Sequence, residues 1–230
     1  MKNIPSIEEM FKAGAHFGHR TNRWHPKMKP FIFGSKKGVY LIDLTKTQEM
    51  LEKALEYMAR LIKEDKTILF VGTKNQVKKP LKAMTEETGQ SYIVGKWLGG
   101  YLTNFAVVRR SIKKYQDLLS QKELGKLDKY TKKEQLNIDR EIKRLEARVG
   151  GLANLTKLPD ALFIWDLNKE ETAVAEARKK HIPIIGVCDT NVNPDLVDYP
   201  IPANDDASKT VKIILEAVKA TILEAKESKK

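Results

Sequence analysis

Apolar positions along the chain switch repeatedly between helical spacing and short unbroken runs. Leu51, Leu55, Met58 and Ile62 recur at i, i+4, i+7 and i+11, one stripe of an α-helix, and Thr45 with Gln48 forms a capping box ahead of them. Val211, Leu215, Val218 and Ile222 make a similar inward stripe near the end, in a helix that Asn204 or Asp205 is expected to cap. Ser6 with Glu9 opens a short helix through about Ala15. A basic helix is predicted from about Asn75, with Pro80 kinking it or marking its first turn. Asn168, with Glu171 three residues on, is expected to cap another. Between these lie apolar runs of strand length: Gly38–Leu44, Thr67–Thr73, Ser91–Val94, Asp160–Asp166 and Pro183–Asp189. Tyr199–Ala203 carries two prolines and reads as an edge strand.

Unbroken apolar strands alternating with amphipathic helices predict a mostly parallel sheet covered on both faces. The expected fold is therefore α/β, doubly wound and Rossmann-like or flavodoxin-like. Segment 104–149 breaks the alternation. Val108, Ile112, Tyr115 and Leu119 form one narrow stripe; Ile138, Ile142, Leu145 and Val149 form another, and no strand fits between them. This predicts an antiparallel coiled-coil hairpin inserted into a body made of 1–103 and 150–225, with a frayed tail at 226–230.

Charge adds a partner to this scaffold. The formal net charge is +12, from 42 Lys and Arg against 30 Asp and Glu. From Met10 to Ile42 there is no acid, but there are Lys12, Arg20, Arg23, Lys27, Lys29, Lys36 and Lys37. From Thr88 to Gln116 there is again no acid, but there are Lys96, Arg109, Arg110, Lys113 and Lys114. Those twelve cations equal the whole excess. A solvated surface mixes signs; excluding acids from two windows points to a polyanion. No apolar run approaches the ~18 residues of a membrane span, and the first residues lack an apolar signal core, so neither membrane insertion nor export is expected. A lone cysteine, Cys188, excludes an internal disulfide.

The first window, an arm at 12–37, interleaves His16, Phe17, His19, Arg20, Arg23, Trp24, Lys27 and Lys29 with Gly and Pro. Cations meet phosphates, and aromatic planes stack on unpaired bases. Too aperiodic for helix or strand, the arm is expected to be irregular and ordered by its partner; Phe17 and Trp24 serve equally well as plugs of the core. His16, His19 and His25 also have the spacing of a partial zinc site, with Cys188 as a conceivable fourth ligand, but no acid lies nearby in sequence to orient the imidazoles. Polar packing or RNA contact is the simpler reading of that trio.

Gly72-Thr73-Lys74 joins a strand to a helix, where Lys74 can face a phosphate. Neither G-x-G-x-x-G nor G-x-x-x-x-G-K-[ST] is present, so no nucleotide or other cofactor is expected. Asp43, Asp166 and Asp189 each end a strand and would suit a magnesium-dependent enzyme if they converged, although turn and cap duty explains them at lower cost. In the second window Lys96 and Trp97 precede Gly99-Gly100, and Arg109, Arg110, Lys113 and Lys114 share faces of the first hairpin helix.

Several blocks carry a family pattern: Glu9–His19 (EMFKAGAHFGH), Trp24–Gly34 (WHPKMKPFIFG), Ile68–Lys74 (ILFVGTK), Trp97–Asn104 (WLGGYLTN), Leu158–Phe163 (LPDALF), Asp189–Asn191 (DTN) and Ile201–Ala207 (IPANDDA). In this order they resemble the bacterial small-subunit ribosomal protein S-two family. The resemblance implies a Rossmann-like body with a helical hairpin, seated between head and body on the solvent side of the small ribosomal subunit. It implies contact with small-subunit ribosomal RNA and neighbouring ribosomal proteins, leaving open whether ribosomal protein S-one docks. It implies a cytoplasmic, ribosome-bound protein with no catalysis and no small-molecule substrate. Some members carry zinc. Pro80 departs from the helix former expected there.

Overall fold

A computed structural model describes residues 4–127 and 129–228. In chain order the elements are α1 (Ile7–Ala13), β1 (Phe17–Arg20), β2 (Ile32–Lys36), β3 (Val39–Ile42), α2 (Leu44–Lys63), β4 (Ile68–Val71), α3 (Asn75–Thr88), β5 (Ser91–Ile93), α4 (Phe105–Glu123), α5 (Lys132–Val149), β6 (Ala161–Trp165), α6 (Glu171–Lys179), β7 (Ile184–Cys188), β8 (Tyr199–Pro202) and α7 (Ser208–Glu227). Five strands form a parallel sheet in the order β5-β4-β6-β7-β8. Strand order reverses between β4 and β6, so their C-terminal ends open a crevice.

Side chains alternate across this sheet as a period of two requires. Ile68, Phe70, Phe163, Trp165, Ile185 and Val187 face α2, α3 and α7. Leu69, Val71, Leu162, Ile164 and Ile184 face α6 and the inner parts of α4 and α5. Both faces are covered, which explains the unbroken apolar strands. The stripe Leu51, Leu55, Met58 and Ile62 lies wholly in the first layer. Each such side chain contributes about 1.5–3 kcal/mol by leaving water. β8 is an edge strand, as its prolines required.

The arm departs from expectation. β1, β3 and β2 form a separate three-stranded antiparallel sheet, and Pro26–Phe31 is a 3-10 turn. The arm is therefore folded, and Gly38–Leu44 supplies its central strand instead of joining the parallel sheet. Its pairing is long-range and irregular, with register breaks in both ladders, so period alone could not reveal it. Lys37 and Gly38 both have positive φ and close a two-residue turn between Lys36 and Val39. Thr190 is one anchor of the sheet to the body: His19 N donates to Thr190 Oγ1 (2.8 Å) and His25 N to the Thr190 carbonyl (2.8 Å). A Cβ on Gly18 would lie 2.4 Å from Thr190 Cγ2, so only glycine allows this approach.

Several predicted caps move. The Ser6–Glu9 box stands. Asp43, not Thr45, caps α2, its side chain accepting from Thr45 N. Asn168 lies in a turn and Glu170 occupies the N-cap of α6; Ala207 caps α7, while Asn204 Oδ1 accepts from Asp206 N and Ala207 N. Pro80 sits inside α3, beyond its first turn, and the helix runs through it to Gly89 in left-handed conformation. In the tail, Lys226 and Glu227 are helical, Lys226 Nζ donating to the Thr88 carbonyl (2.6 Å); residues 229 and 230 lie outside the described residues.

α4 and α5 pack on each other, bridged by Lys114–Glu141 (2.8 Å) and Lys122–Asp139 (2.7 Å). Ile112, Tyr115, Ile142, Leu145 and Val149 belong to the same apolar layer as Leu69 and Ile93. The inner part of this pair is thus continuous with the body's core.

Candidate nucleic-acid interface

The arm sheet displays cations on a rigid frame. Arg20, Arg23, Lys29, Lys36 and Lys37 are exposed. Lys27 is exposed too, but its ammonium stands 2.9 Å from Asp195. Phe17 is half exposed, so it does not plug the core. Trp24 is partly buried against Tyr40, ring centres 5.0 Å apart.

The three histidines diverge. His16 stacks on Phe11 (4.3 Å) and has Phe17 tilted against its ring (4.0 Å), and burial pushes its pKa down. His19 Nδ1 lies 2.9 Å from Asp189 Oδ1, and this carboxylate pushes the imidazole's pKa up. His25 Nδ1 accepts from Lys27 N (3.2 Å). Cys188 is buried, its thiol directed at the Gly186 carbonyl. These residues do not fit zinc: the imidazoles have separate partners, and among the described residues no group of three or more His, Cys, Asp or Glu could hold a metal ion. Asp189, distant in sequence, is the acid that orients His19.

The β4–β6 crevice holds an ionic knot. Lys74 Nζ reaches Asp205 Oδ1 (2.7 Å), Asp206 Oδ1 (2.8 Å) and Asp166 Oδ2 (3.0 Å). Burial disfavours the ammonium, yet the bonds to Asp205 and Asp206 outweigh it and raise its pKa. The expectation that Lys74 faces a phosphate is corrected: its charge is neutralised internally. The neighbouring amide of Thr73 donates to Glu170 Oε1 (3.2 Å), so this helix start faces a carboxylate. The strand-end trio does not form a cation site either: Asp43 caps α2, accepting from Thr45 N, and among the described residues no group of three or more His, Cys, Asp or Glu could hold a metal ion. Asp166, at φ 68°, accepts from Asn168 N and Lys169 N, the turn duty expected of it. Asp205 is the residue the sequence reading misassigned. Its Oδ2 is buried without a partner, and burial, then the charges of Asp189 and Asp166, push its pKa up to about 7.

The second basic window is held differently. Glu176, on the apolar side of α6 beside Ala173 and Ala177, collects the loop 97–103. Its Oε1 accepts from Gly100 N (2.7 Å) and Trp97 Nε1 (3.2 Å), and its Oε2 from Leu102 N, Thr103 N and Thr103 Oγ1 (3.0 Å each). Burial opposes its charge, but the backbone bonds from Thr103, Gly100 and Leu102 prevail and its pKa is lowered. Trp97 is therefore buried structure rather than a stacking platform, a second correction. Glu176 was missed; its signal was a carboxylate among the inward positions of an amphipathic helix. Lys96 is exposed beside this loop. Arg109, Arg110 and Lys113 line a groove of about 560 Å³ between α4 and Ala153–Thr156. Lys114, by contrast, is paired with Glu141, so the basic root is not wholly unbalanced.

Two cationic surfaces, each tied to an α/β body through a buried carboxylate, define an α/β protein that, among the described residues, presents unpaired cations outward. Comparison with known proteins narrows the class. The family described as Ribosomal protein S2 matches residues 10–225. The small ribosomal subunit protein uS2 of Coprothermobacter proteolyticus is 46% identical over 226 residues, covering 98% of this chain and 84% of that protein. The protein of the same name from Marinobacter nauticus is 46% identical over 223 residues, covering 97% of this chain and 89% of that one. The chain belongs to the ribosomal protein S2 family. Among the described residues no helix is long and apolar enough to cross a membrane.

Proposed function

We propose that this chain is a structural constituent of the small ribosomal subunit, ribosome-bound in the cytoplasm, and not an enzyme. It binds ribosomal RNA through the arm sheet and the root of α4, and sits among neighbouring small-subunit proteins. One observation carries the residue-level reading. Arg20, Arg23, Lys29, Lys36, Lys37, Lys96, Arg109, Arg110 and Lys113 are exposed, and none is paired with a carboxylate among the described residues. Cations left unneutralised on rigid supports are what a phosphate backbone requires. Within this reading His16 and Phe17 form an aromatic edge beside the arm's cations. His19 and Lys74 position loops instead of touching RNA. Ribosomal protein S-one is a candidate neighbour; its loss from subunits carrying an arm variant would support that contact.

The test is a salt titration. Replacing Arg20, Arg23 and Lys29 with Ala should leave thermal unfolding unchanged and flatten the log-affinity against log-salt slope for small-subunit RNA by about 2–3, since each phosphate contact carries a slope of about 0.7–0.9. An unaltered slope overturns the arm's role.

Segment 104–149 is proposed as a helical hairpin inserted in the body 1–103 and 150–225. Because its inner residues share the body's core, a tolerated excision should begin beyond Tyr115 and end before Ile142.

A further inference from the structure

A cavity of about 190 Å³ lies where the Gly99-Gly100 loop meets α4 and α5. Leu98, Val107, Val108 and Leu145 give it apolar walls, and Asn104 and Arg148 its polar rim. No acid lines it. It is smaller than the ~300 Å³ at which pockets for drug-sized ligands begin, so it suits one small group about the size of a nucleobase. The Asn104 side chain, at the N-cap of α4, makes no capping bond and holds no other hydrogen bond among the described residues, so its amide is available. Val107 and Leu98 remain exposed at the mouth. Glu176 fixes the loop that forms the wall before any ligand arrives.

We infer that this cavity receives a single unpaired base of small-subunit RNA, turned out of its stack; the inference rests on the reading of the chain as an RNA-binding protein. The walls contact the base faces, the Asn104 amide, donor and acceptor at once, meets a base edge, and Arg148 lies where the adjoining phosphate would run. Most of the lining, Leu98 to Ser111, belongs to the acid-free run from Thr88 to Gln116, and the α5 side adds Arg148, so the cavity's charge favours a group attached to a polyanion. A base is the occupant that is both planar and attached to negative charge.

The experiment uses the full chain and a transcript of small-subunit RNA. A Cβ on Gly99 meets nothing within 4 Å, so Gly99→Leu should fold normally while its side chain crowds the mouth. Asn104→Ala removes the polar rim without removing a cap bond. Each should weaken binding, Gly99→Leu by about tenfold, with the salt slope unchanged, because a stacked base and not a phosphate contact is lost. Irradiating wild type with thiouridine-substituted transcript should cross-link the peptides containing Asn104–Ser111 or Leu145–Val149. If wild type binds with a steep salt slope but both variants match it and those peptides stay free of cross-links, the cavity inference fails while RNA binding stands. If wild type itself shows no salt-dependent binding, the underlying reading fails. If RNA affinity is unchanged while subunits containing Gly99→Leu lose a ribosomal protein, the occupant is a protein and the base assignment is overturned.

Discussion

The two basic surfaces are fastened to the same body by opposite electrostatic devices. At the 97–103 loop one carboxylate, Glu176, is surrounded by neutral donors, most of them backbone amides. At the arm, Asp189 and Asp205 crowd together with Asp166, and two titratable cations, His19 and Lys74, hold them. Amide dipoles stabilise the ionised acid and lower its pKa; burial first, and the like charges of Asp189 and Asp166 behind it, raise the pKa of Asp205 even with a lysine present. A carboxylate held by dipoles is constant near neutrality, whereas one held among other charges responds to pH.

The strongest way to break this contrast is Glu176→Ala. It strands several amides in a buried setting and should cost about 4 kcal/mol in thermal or denaturant unfolding, with Glu176→Gln recovering part of it. Because its folded pKa is lowered, its contribution is present above about 4.3 and lost only as pH falls through the folded value. A loss below 1 kcal/mol for Glu176→Ala would show that the loop holds itself.

Lys74→Met comes next. Removing the shared cation leaves Asp205 and Asp166 buried and unpaired, at about 3 kcal/mol near pH 7.5. The penalty should shrink towards pH 5, where Asp205 takes up a proton. The sign follows from its raised pKa: between about 4 and 7 the folded chain holds a proton that the unfolded chain lacks, so this group's contribution to stability falls as pH rises. Unfolding midpoints measured across that window for wild type and Asp205→Asn test it, since the variant should lose this component of the slope.

The smallest effect belongs to His19→Gln, about 1 kcal/mol, with the arm alone loosening. The raised His19 pKa makes its ion pair fully present below about 6.5 and weaker as pH climbs through the folded value. The protection factors of β1 and β3 amides, the base-catalysed intrinsic rate divided by the observed exchange rate, should therefore fall on alkalinisation in wild type and stay level in the variant.

Legibility followed sequence distance. The parallel sheet was readable because each strand carries its own apolar run, and α2 because its stripe is local. The exposed cations of the arm and of α4 were readable because absence of acid is a property of a window. Trp97 and Lys74 were misread, since nothing within five residues of either discloses the partner: Glu176 lies 79 positions from Trp97, and Asp205 131 from Lys74. The arm's strands escaped because β1 pairs with β3 through a register break and takes its anchor from Thr190.

Sequence alone determined the layered α/β body and the two windows from which acids are excluded. These rest on periodicity and composition, which act through neighbours along the chain. Tertiary structure decided which charges face outward. Asp166, Asp189, Asp195, Asp205 and Glu141 arrive from distant segments to neutralise Lys74, His19, Lys27 and Lys114, leaving the remaining cations exposed. A charge's availability depends on which opposite charge folding brings within about 4 Å, and only the packed chain specifies that.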